Sequence, residues 1–385
     1  MKRNSKFPDL TSVKAPLSEA SFLPSEYYGN DMHFLREKTT ILQRNWIVVG
    51  RWEQVENTGD YFTIDLFEEP IVIVRDQNNT VKALSNVCRH RAAAVAQGSG
   101  NTKHFVCPYH QWNYKLSGEF NGAPAMERAT DFTKEECGLD EFPVMEWQGF
   151  IFVNLSKTAK PLDLTEVDDY IRPFHLSELK RLEPIRYDCP WDWKISSENV
   201  MEFYHYPGVH AKTVGGLFDI NNSIDAEYED SLLAVGGENL YALGRGKPYI
   251  FAMQASQNSL ITPGIPAFEV PESLANKQVG VHVFPNISLI ITPNFTVWPH
   301  FIIDNANSHR LEYNILVHPD LADKPEFSGI REYFREMIQA IHDEDMPVLK
   351  QVAKGLKSAN HTPGRLSHLE LVIWLFHTWM LEELG

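Results

Sequence analysis

Four residues able to bind a metal lie close together in the sequence, as two Cys–His pairs. They are Cys88-x-His90 and Cys107-x-x-His110, with sixteen residues between the pairs. Each pair is short enough to occupy one tight loop, and two such loops brought tip to tip would form a single four-ligand site. Two thiolates and two imidazoles suit either zinc or a mixed-ligand iron–sulfur centre.

The order of the ligands separates these two metals. A zinc finger reads Cys, Cys, His, His, with helical spacing between the histidines, whereas each loop here offers one sulfur and one nitrogen. Two Cys on one iron and two His on the other would make a Rieske [2Fe–2S] centre, in which His raises the potential. The order therefore favours a Rieske centre over zinc. A chance cluster is improbable, because Cys and His together make up 19 of 385 residues.

A second group of potential ligands begins at Glu202. Glu202 and His205 are three residues apart, so they share one face of a helix. His205 and His210 would diverge on a continuous helix, but Pro207-Gly208 between them is expected to break it. The two imidazoles could then converge on one ion. A charged third ligand would complete the 2-His-1-carboxylate triad of non-haem Fe(II), which leaves positions open for dioxygen and substrate.

The third ligand is predicted from helical periodicity around 330–356, where Pro347 is expected to kink the helix. Asp345 lies in the middle of the apolar stripe, whereas Asp343 points away from it and Glu344 lies at its edge. The stripe consists of Phe334, Ile338, Ile341, Val348 and Val352. A carboxylate facing a core is costly unless it is paired or bound to a metal. Asp345 is therefore predicted to bind the metal, the alternatives being an ion pair with a buried Arg or an offset of the helix.

The elements around both groups predict an α+β protein with three segments. Residues 1–43 are expected to form an arm and helix that pack on the catalytic domain. Short β-branched and aromatic runs over 44–157 predict an antiparallel β domain whose loops carry the Cys–His pairs. Residues 158–385 predict an antiparallel sheet flanked by helices. Helices are expected at Asp168–Leu176, Ser197–Tyr206, 328–356 and Leu366–Leu384, and strands at Val279–Phe284, Ser288–Thr292, Thr296–Ile303 and Arg310–His318. Pro299, inside the third of these strands, is expected to mark an edge strand or a bulge.

Composition excludes several classes of partner. The net charge is −16 with a pI near 5.4, which argues against nucleic acid and against anionic membrane surfaces. Cys137 and Cys189 are expected to be lone buried thiols, which fits a reducing cytoplasm. No apolar run is long enough to span a membrane. No Gly-x-Gly-x-x-Gly opens a predicted helix, so the chain carries no sign of a nucleotide or flavin site.

The residues flanking both ligand groups resemble the ring-hydroxylating oxygenases. Asn86-Val-Cys88-Arg-His90-Arg and Cys107-Pro-Tyr-His110-x-Trp112 resemble the Rieske motifs of that family, with Gln111 where the family usually has Gly. Asn199-x-x-Glu202-x-Tyr204-His205-x4-His210 resembles its mononuclear-iron motif. The segment from Glu344-Asp345 to Gly355-Leu356 resembles the one that carries its third ligand.

This resemblance implies a terminal oxygenase with a Rieske [2Fe–2S] cluster, a mononuclear Fe(II) and dioxygen as co-substrate. Asp345 is then the third iron ligand, and Asn199 and Glu202 belong to the catalytic set. The family assembles as trimers, so electrons would pass from His110 of one chain through Glu202 of its neighbour to His205. A separate NAD(P)H-dependent reductase is implied. Glu198 is expected to be no more than a surface or helix-end charge.

The resemblance also implies a substrate class. Glu at position 202 and the segment from Pro363 to Trp379 resemble the choline, glycine betaine and carnitine group, although Phe203, Tyr206 and Ala211 depart from its pattern. A methylated amine would need an aromatic cage. The candidates are Phe284, Trp298 and Phe301, with Asn286 beside them. The alternatives are an aromatic-ring hydroxylase, a Rieske electron-transfer protein without a second iron, and a zinc-stabilised binding module.

Overall fold

The computed structural model describes residues 10–130, 132–216, 249–254 and 262–385. The chain divides into two compact units. The β unit is Leu42–Pro161, and the α+β unit combines the residues up to Ile41 with Leu162–Gly385. None of the helices in these described ranges is long and apolar enough to cross a bilayer.

The β unit is built from short antiparallel strands. They form sheets in the orders β5-β2-β3-β4-β9, β1-β11-β10 and β6-β7-β8. The strands are β1 Ile47–Arg51, β2 Asp60–Leu66, β3 Glu69–Arg75, β4 Val81–Ser85, β5 Ser99–Asn101, β6 Phe105–Val106, β7 Asn113–Tyr114, β8 Phe120–Gly122, β9 Glu141–Phe142, β10 Val144–Trp147 and β11 Phe150–Val153. The predicted antiparallel β domain is therefore confirmed.

The ligand loops of the β unit rest on its hydrophobic core. Cys88 and Cys107 are buried in the same cluster as Val72, Val74 and Leu84. These aliphatic residues come from β3 and β4, whose β-branched and leucine side chains suit a buried sheet. The sheet thus provides a rigid base on which both cysteines are held.

The α+β unit contains one large antiparallel sheet and the helices that cover it. Its strand order is β12-β18-β17-β16-β15-β14, and β13 also pairs with β18. The strands are β12 Lys180–Arg181, β13 Ile185–Cys189, β14 Tyr249–Gln254, β15 Lys277–Val283, β16 Ile287–Ile291, β17 Phe295–Asn305 and β18 Ser308–Val317. The helices are α1 Asp31–Glu37, α2 Thr165–Ile171, α3 Trp193–Val200, α4 Tyr206–Val209, α5 Pro319–Asp323, α6 Ser328–Gly355 and α7 Leu371–Leu384.

The long helix α6 packs on one face of this sheet. Phe334 of α6 lies 4.9 Å from Phe295 of β17, measured between ring centroids. His342 of α6 stacks on Tyr313 of β18 at 3.4 Å and 12°. Pro299 pairs with Tyr313 across the two strands, so the odd-numbered residues of β17 and β18 face this helix. The same face therefore supports the turn of α6 that carries Asp345.

Two sequence predictions about this unit are wrong. Pro299 was expected to mark an edge strand or a bulge, but β17 lies between β16 and β18. Its pairing with β16 is only interrupted opposite Pro299, with the same register on both sides, because proline has no N–H to donate. The helix predicted at Ser197–Tyr206 instead begins at Trp193 and ends at Val200. Its N-cap is Asp192, whose carboxylate accepts a hydrogen bond from the Lys194 N–H at 2.9 Å.

The register of α6 also differs from the prediction after Pro347. Phe334, Ile338 and Ile341 are buried as expected, but Val348 and Val352 are 39% and 44% exposed. Leu349 and Ala353 take the buried positions in their place. The stripe therefore advances by one residue beyond the ligand turn, where Pro347 removes an N–H from the helix ladder.

The remaining cysteines are unpaired. Among the described residues, all four cysteines are free thiols, which agrees with the prediction for Cys137 and Cys189. Cys189 is buried, whereas Cys137 is only partly buried, so the expectation that both are buried holds for one of them.

Candidate functional site

The two Cys–His loops share one backbone geometry. In the first loop the Ala92 N–H donates to the Cys88 carbonyl at 2.9 Å, and in the second the Gln111 N–H donates to the Cys107 carbonyl at 3.0 Å. Ala92 and Gln111 have φ values of 59° and 60°. This left-handed conformation favours glycine, which is the residue that the family usually has at position 111. Gln111 therefore keeps the turn, at a cost of roughly 1 kcal/mol.

The four side chains at the loop tips fit a Rieske centre. Cys88 and Cys107 are 2% and 1% exposed. The ring centroids of His90 and His110 are 4.6 Å apart. The Nδ1 atom of His110 is buried and has no hydrogen-bond partner within the described residues. A buried nitrogen lone pair or N–H without a partner is costly, and binding to iron would satisfy this nitrogen.

Tyr114 supports this centre from the adjacent strand β7. Its hydroxyl lies 3.2 Å from the Cys88 sulfur and accepts a hydrogen bond from the Arg89 N–H at 3.1 Å. A thiolate bound to the cluster carries no hydrogen and can only accept, so with the cluster in place the Tyr114 hydroxyl would donate to the sulfur. Burial, followed by the bond to Cys88, raises the pKa of Tyr114. Sequence reasoning missed Tyr114, although its alternation with Trp112 along the strand could have placed it on the same buried face.

The second ligand group forms a compact three-atom site. His205 Nε2 and His210 Nε2 are 3.2 Å apart. Asp345 Oδ1 lies 3.2 Å from His210 Nε2 and 3.7 Å from His205 Nε2. Three ligands on one face of an octahedral ion, with bonds of about 2.1 Å, would have atoms about 3.0 Å apart. The triad predicted from sequence therefore has suitable geometry for a metal.

The local backbone explains why the two histidines converge, and it corrects one expectation. The break does not occur at Pro207-Gly208, because α3 has already ended at Val200 and α4 begins at Tyr206. Pro207 lies in the first turn of α4, where a missing N–H is tolerated. His205 caps this short helix and His210 follows its last residue, so one helical turn brings the two rings together.

Each histidine ligand is oriented by a carboxylate. Glu202 Oε1 lies 2.6 Å from His205 Nδ1, and its Oε2 accepts a hydrogen bond from the His205 N–H at 3.1 Å. Glu344 Oε2 lies 3.1 Å from His210 Nδ1 and accepts a bond from the Thr213 hydroxyl at 2.7 Å. A bond at Nδ1 fixes the tautomer in which Nε2 is free to bind a metal. Sequence reasoning placed Glu344 only at the edge of the α6 stripe and missed this role.

Asp345 is held in its ionised form. It is 2% exposed. Burial acts to raise the pKa of Asp345, but the imidazoles of His210 and His342 lower it well below its usual range. Its Oδ1 atom is buried without a hydrogen-bond partner in the described part of the chain. A buried anionic oxygen that faces two imidazole nitrogens suits a divalent metal ion.

Tyr206 and Gln278 border the metal site and were also missed. The Tyr206 ring centroid lies 5.1 Å from those of both His205 and His210. Its hydroxyl accepts a hydrogen bond from the Gln278 amide of β15 at 3.5 Å. Asn199 lies half-buried in the last turn of α3, and its catalytic role stays a prediction.

The candidate cage aromatics do not come together. Phe284 packs on Phe376 and Trp379 of α7, with ring centroids 5.2 and 5.3 Å apart. Trp298 and Phe301 alternate along β17 and point to opposite faces of the sheet. Asn286 is 3% exposed in the turn between β15 and β16. The three rings cannot line one cage in this arrangement, and a pocket role for Asn286 stays a prediction.

Glu198 differs from its expected place at the surface. Its Oε1 atom accepts a hydrogen bond from the Tyr28 hydroxyl at 2.7 Å and lies 2.9 Å from His377 Nε2. Its side chain is 12% exposed. Because Tyr28 precedes α1 and His377 belongs to α7, Glu198 ties both chain ends to α3, in the unit that carries the metal ligands.

Comparisons with known proteins match two parts of the chain to known families. Residues 176–385 match the family model of the ring hydroxylating alpha subunit catalytic domain, and residues 45–143 match that of the Rieske [2Fe-2S] domain. The glycine betaine monooxygenase oxygenase subunit of Chromohalobacter salexigens is 27% identical over an alignment of 398 positions, which spans 94% of this chain and 86% of that protein. The carnitine monooxygenase oxygenase subunit of Escherichia coli is 26% identical over 357 residues, covering 89% and 86%.

The fold is shared with a solved structure of a quaternary ammonium Rieske monooxygenase. The TM-score is 0.77 at 22% identity, and the match covers 99% of this chain and 100% of the other. That structure is described as giving insight into carnitine oxidation and inter-subunit electron transfer.

Proposed function

We propose a function for this chain from the premise that it belongs to the ring hydroxylating alpha subunit family, whose catalytic-domain model matches residues 176–385. It is the terminal oxygenase component of a system that hydroxylates or oxidatively demethylates a small methylated amine. The observation that carries this proposal is the triad of His205, His210 and Asp345, in which each of the three pairs of ligand atoms is 3.2 to 3.7 Å apart.

The residues of the chain divide the work between two centres. When bound, the cluster supplies electrons and the mononuclear iron activates dioxygen for attack on a C–H bond. Cys88, Cys107, His90 and His110 hold the cluster. The triad would hold the second iron and leave its remaining coordination positions to reactants. Glu202 and Glu344 keep the Nε2 atoms of His205 and His210 directed at the iron.

Electrons reach the second iron from another copy of the chain in this proposal. The copies form a homotrimer in which His110 of one chain approaches Glu202 of its neighbour. Glu202 already bonds the Nδ1 atom of His205 at 2.6 Å, so a second imidazole on this carboxylate would connect the two centres. A separate NAD(P)H-dependent reductase, carrying flavin and an iron–sulfur centre, supplies the electrons. A separate reductase is proposed because no nucleotide-binding motif was found in this sequence.

The substrate is a quaternary or otherwise methylated amine. Support comes from the relatives, which are glycine betaine and carnitine monooxygenase subunits, and from Glu at position 202.

The chain's free cysteines fit a reducing cytoplasm. The proposed domains are an N-terminal arm and helix at 1–43, a Rieske domain at 44–157 and a catalytic domain at 158–385.

The second candidate function is aromatic-ring hydroxylation, favoured only by the family's name and not by a residue of this site.

A reconstituted assay tests this function. The purified protein, with a surrogate reductase, NADH and ferrous iron, is offered glycine betaine, choline, carnitine and benzoate. We expect NADH oxidation and formaldehyde release with one of the methylated amines, and loss of both in Asp345→Ala. Glu336→Ala is the matched control, because it also removes a carboxylate from α6 but at an exposed position. Turnover of benzoate alone would contradict a methylated amine as the substrate. An active Asp345→Ala protein would contradict the proposed mononuclear iron site.

A further inference from the structure

We propose that His342 is a positioning residue that holds Asp345 as a one-oxygen metal ligand. This inference rests on the proposed function, because it concerns the metal site of that function. His342 lies one turn before Asp345 on α6. It does not belong to the three-ligand group, and it did not stand out in the sequence.

The contact between the two residues engages only one carboxylate oxygen. His342 Nδ1 lies 3.1 Å from Asp345 Oδ2. Because the carboxylate can only accept, the hydrogen lies on Nδ1 and the imidazole donates. The other oxygen, Oδ1, faces the nitrogen atoms of His205 and His210 at 3.7 and 3.2 Å. The two oxygens of Asp345 therefore have separate tasks, one toward the imidazole donor and one toward the metal position.

The His342 ring is itself fixed by the sheet. It is 6% exposed and stacks on Tyr313 of β18 at 3.4 Å and 12°. Tyr187 of β13 packs edge-on against Tyr313 at 5.9 Å, and its hydroxyl donates to Asp343 Oδ1 at 2.9 Å. Two strands thus hold the helical turn that runs from His342 to Asp345. The donor cannot swing away without breaking this stack.

The consequence concerns the number of open metal positions. A carboxylate that is free to rotate can bind a metal through both oxygens and so occupy two positions. With Oδ2 engaged by His342, Asp345 would offer the metal only Oδ1, and an octahedral ion would keep three positions for water, dioxygen and substrate. Partners of this kind commonly change metal affinity by about 10- to 100-fold when they are removed.

Two substitutions distinguish the role of the His342 N–H donor from that of its stacked ring. His342→Phe keeps a ring on Tyr313 but removes the N–H. His342→Asn loses the ring but places an amide N–H where Nδ1 was. Each protein, with its cluster retained and its mononuclear site emptied by a chelator, is titrated anaerobically with Co(II). The dissociation constant and the visible absorption of the bound Co(II) are measured, since that absorption reports the coordination number. His342→Leu replaces His342→Phe if the latter does not fold.

We expect His342→Phe to bind Co(II) at least tenfold more weakly, with an altered spectrum, and His342→Asn to stay within threefold of the wild type with the wild-type spectrum. The inference is overturned if His342→Phe matches the wild type in both measurements, or if His342→Asn loses as much as His342→Phe. A wild-type protein that bound no Co(II) would instead contradict the proposed function itself, so the two failures are distinguishable.

Discussion

At the scale of single residues, the chemistry of each centre depends on side chains that do not bind the metal. Tyr114 is the clearest case in the β unit. Its hydroxyl lies 3.2 Å from the sulfur of Cys88 and would donate to it once the thiolate binds the cluster, because a thiolate has no hydrogen to give. Hydrogen bonds to the sulfur ligands are among the features that set the potential of an iron–sulfur cluster.

Replacing Tyr114 by Phe should lower the midpoint potential of the cluster. The reduced cluster carries more negative charge on its sulfurs, so it gains more from the donated hydrogen bond than the oxidised cluster. A bond of about 1 kcal/mol corresponds to roughly 40 mV for one electron. The measurement is a redox titration followed by the electron paramagnetic resonance signal of the reduced cluster. Tyr109→Phe is the control, since Tyr109 is 55% exposed and bonds Arg91; an equal shift there would contradict this role.

The sequence was sufficient to predict which residues the structure brings together at each candidate site, but not the side chains that contact them. Cys88, His90, Cys107 and His110 stand in two short segments, and metal chemistry restricts the residue types at such spacings. Asp345 could be found because it interrupts an apolar stripe before the register changes. Glu344 and His342 were missed because each is an ordinary polar residue on a helix. Their importance depends on which oxygen or nitrogen they face, which only the three-dimensional structure shows.

At the scale of elements, the α3 helix is anchored by a buried charge cluster. Lys194 Nζ lies 2.9 Å from both oxygens of Glu37 and 3.0 Å from Asp192. Lys194 has no exposed side-chain surface. Burial acts to lower the pKa of Lys194, but the carboxylates of Asp192 and Glu37 raise it to about 12. The cluster connects α1 to the start of the helix that leads to Glu202.

Lys194→Met should therefore destabilise the protein strongly. It leaves two buried carboxylates without their cation, and breaking a buried ion pair in this way costs about 3–5 kcal/mol. Urea unfolding, monitored by circular dichroism, measures the change in the free energy of unfolding. Lys115→Met is the matched control, because the Lys115–Glu119 pair is exposed and should contribute little. Equal stability of the two variants would contradict a structural role for the cluster.

Glu370, at the start of α7, should make stability depend on pH. Burial, together with the nearby charges of Glu202 and Glu198, raises the pKa of Glu370 from its usual 4.5 to about 7. The folded protein then binds this proton more tightly than the unfolded chain does. Stability is therefore lost as the pH rises from about 4.5 through about 7, and the loss is complete above that range.

Glu370→Gln should remove this dependence. Its side-chain carbonyl can still accept the hydrogen bond from the Ser367 N–H, which is 2.7 Å long in the wild type. We expect the variant to be more stable than the wild type at pH 8 and similar to it at pH 4. Urea unfolding at both pH values measures the difference, with the exposed Glu383→Gln as control. A gap between Glu370→Gln and wild type that is the same at both pH values would rule out the raised pKa.

The predicted helices and strands agree with the structure where a single local feature of the sequence determines their position. The strands of the β unit agree with the sequence because turn residues separate short β-branched runs. The helix predicted at 197–206 lies earlier in the structure, because Asp192 caps its start and Pro207, in the first turn of α4, does not break it. Val348 and Val352 were misassigned because a proline inside α6 changes which residues face the sheet. Hydrophobicity alone does not contain that information.

At the scale of the whole molecule, the proposed trimer makes the two centres of one chain belong to different electron paths. A chain with His110→Ala keeps its iron triad, and a chain with Asp345→Ala keeps its cluster ligands. Each variant should be inactive alone. Mixed trimers carrying two different affinity tags should regain part of the activity, because an intact cluster then faces an intact triad. Substrate turnover of the doubly purified species is the measurement, and mixed trimers that contain both metals but stay inactive would contradict transfer between chains.

The iron triad has one more consequence, which concerns the stability of the folded protein and not catalysis. His205 and His210 come from the short turn around α4, whereas Asp345 comes from the middle of α6, far along the chain. A bound ion is thus a crosslink between two helices that the unfolded polypeptide cannot form at similar strength. At one hundred times its dissociation constant it would add about 2.7 kcal/mol to the free energy of unfolding. The supply of iron would then affect the stability of the protein as well as its turnover rate.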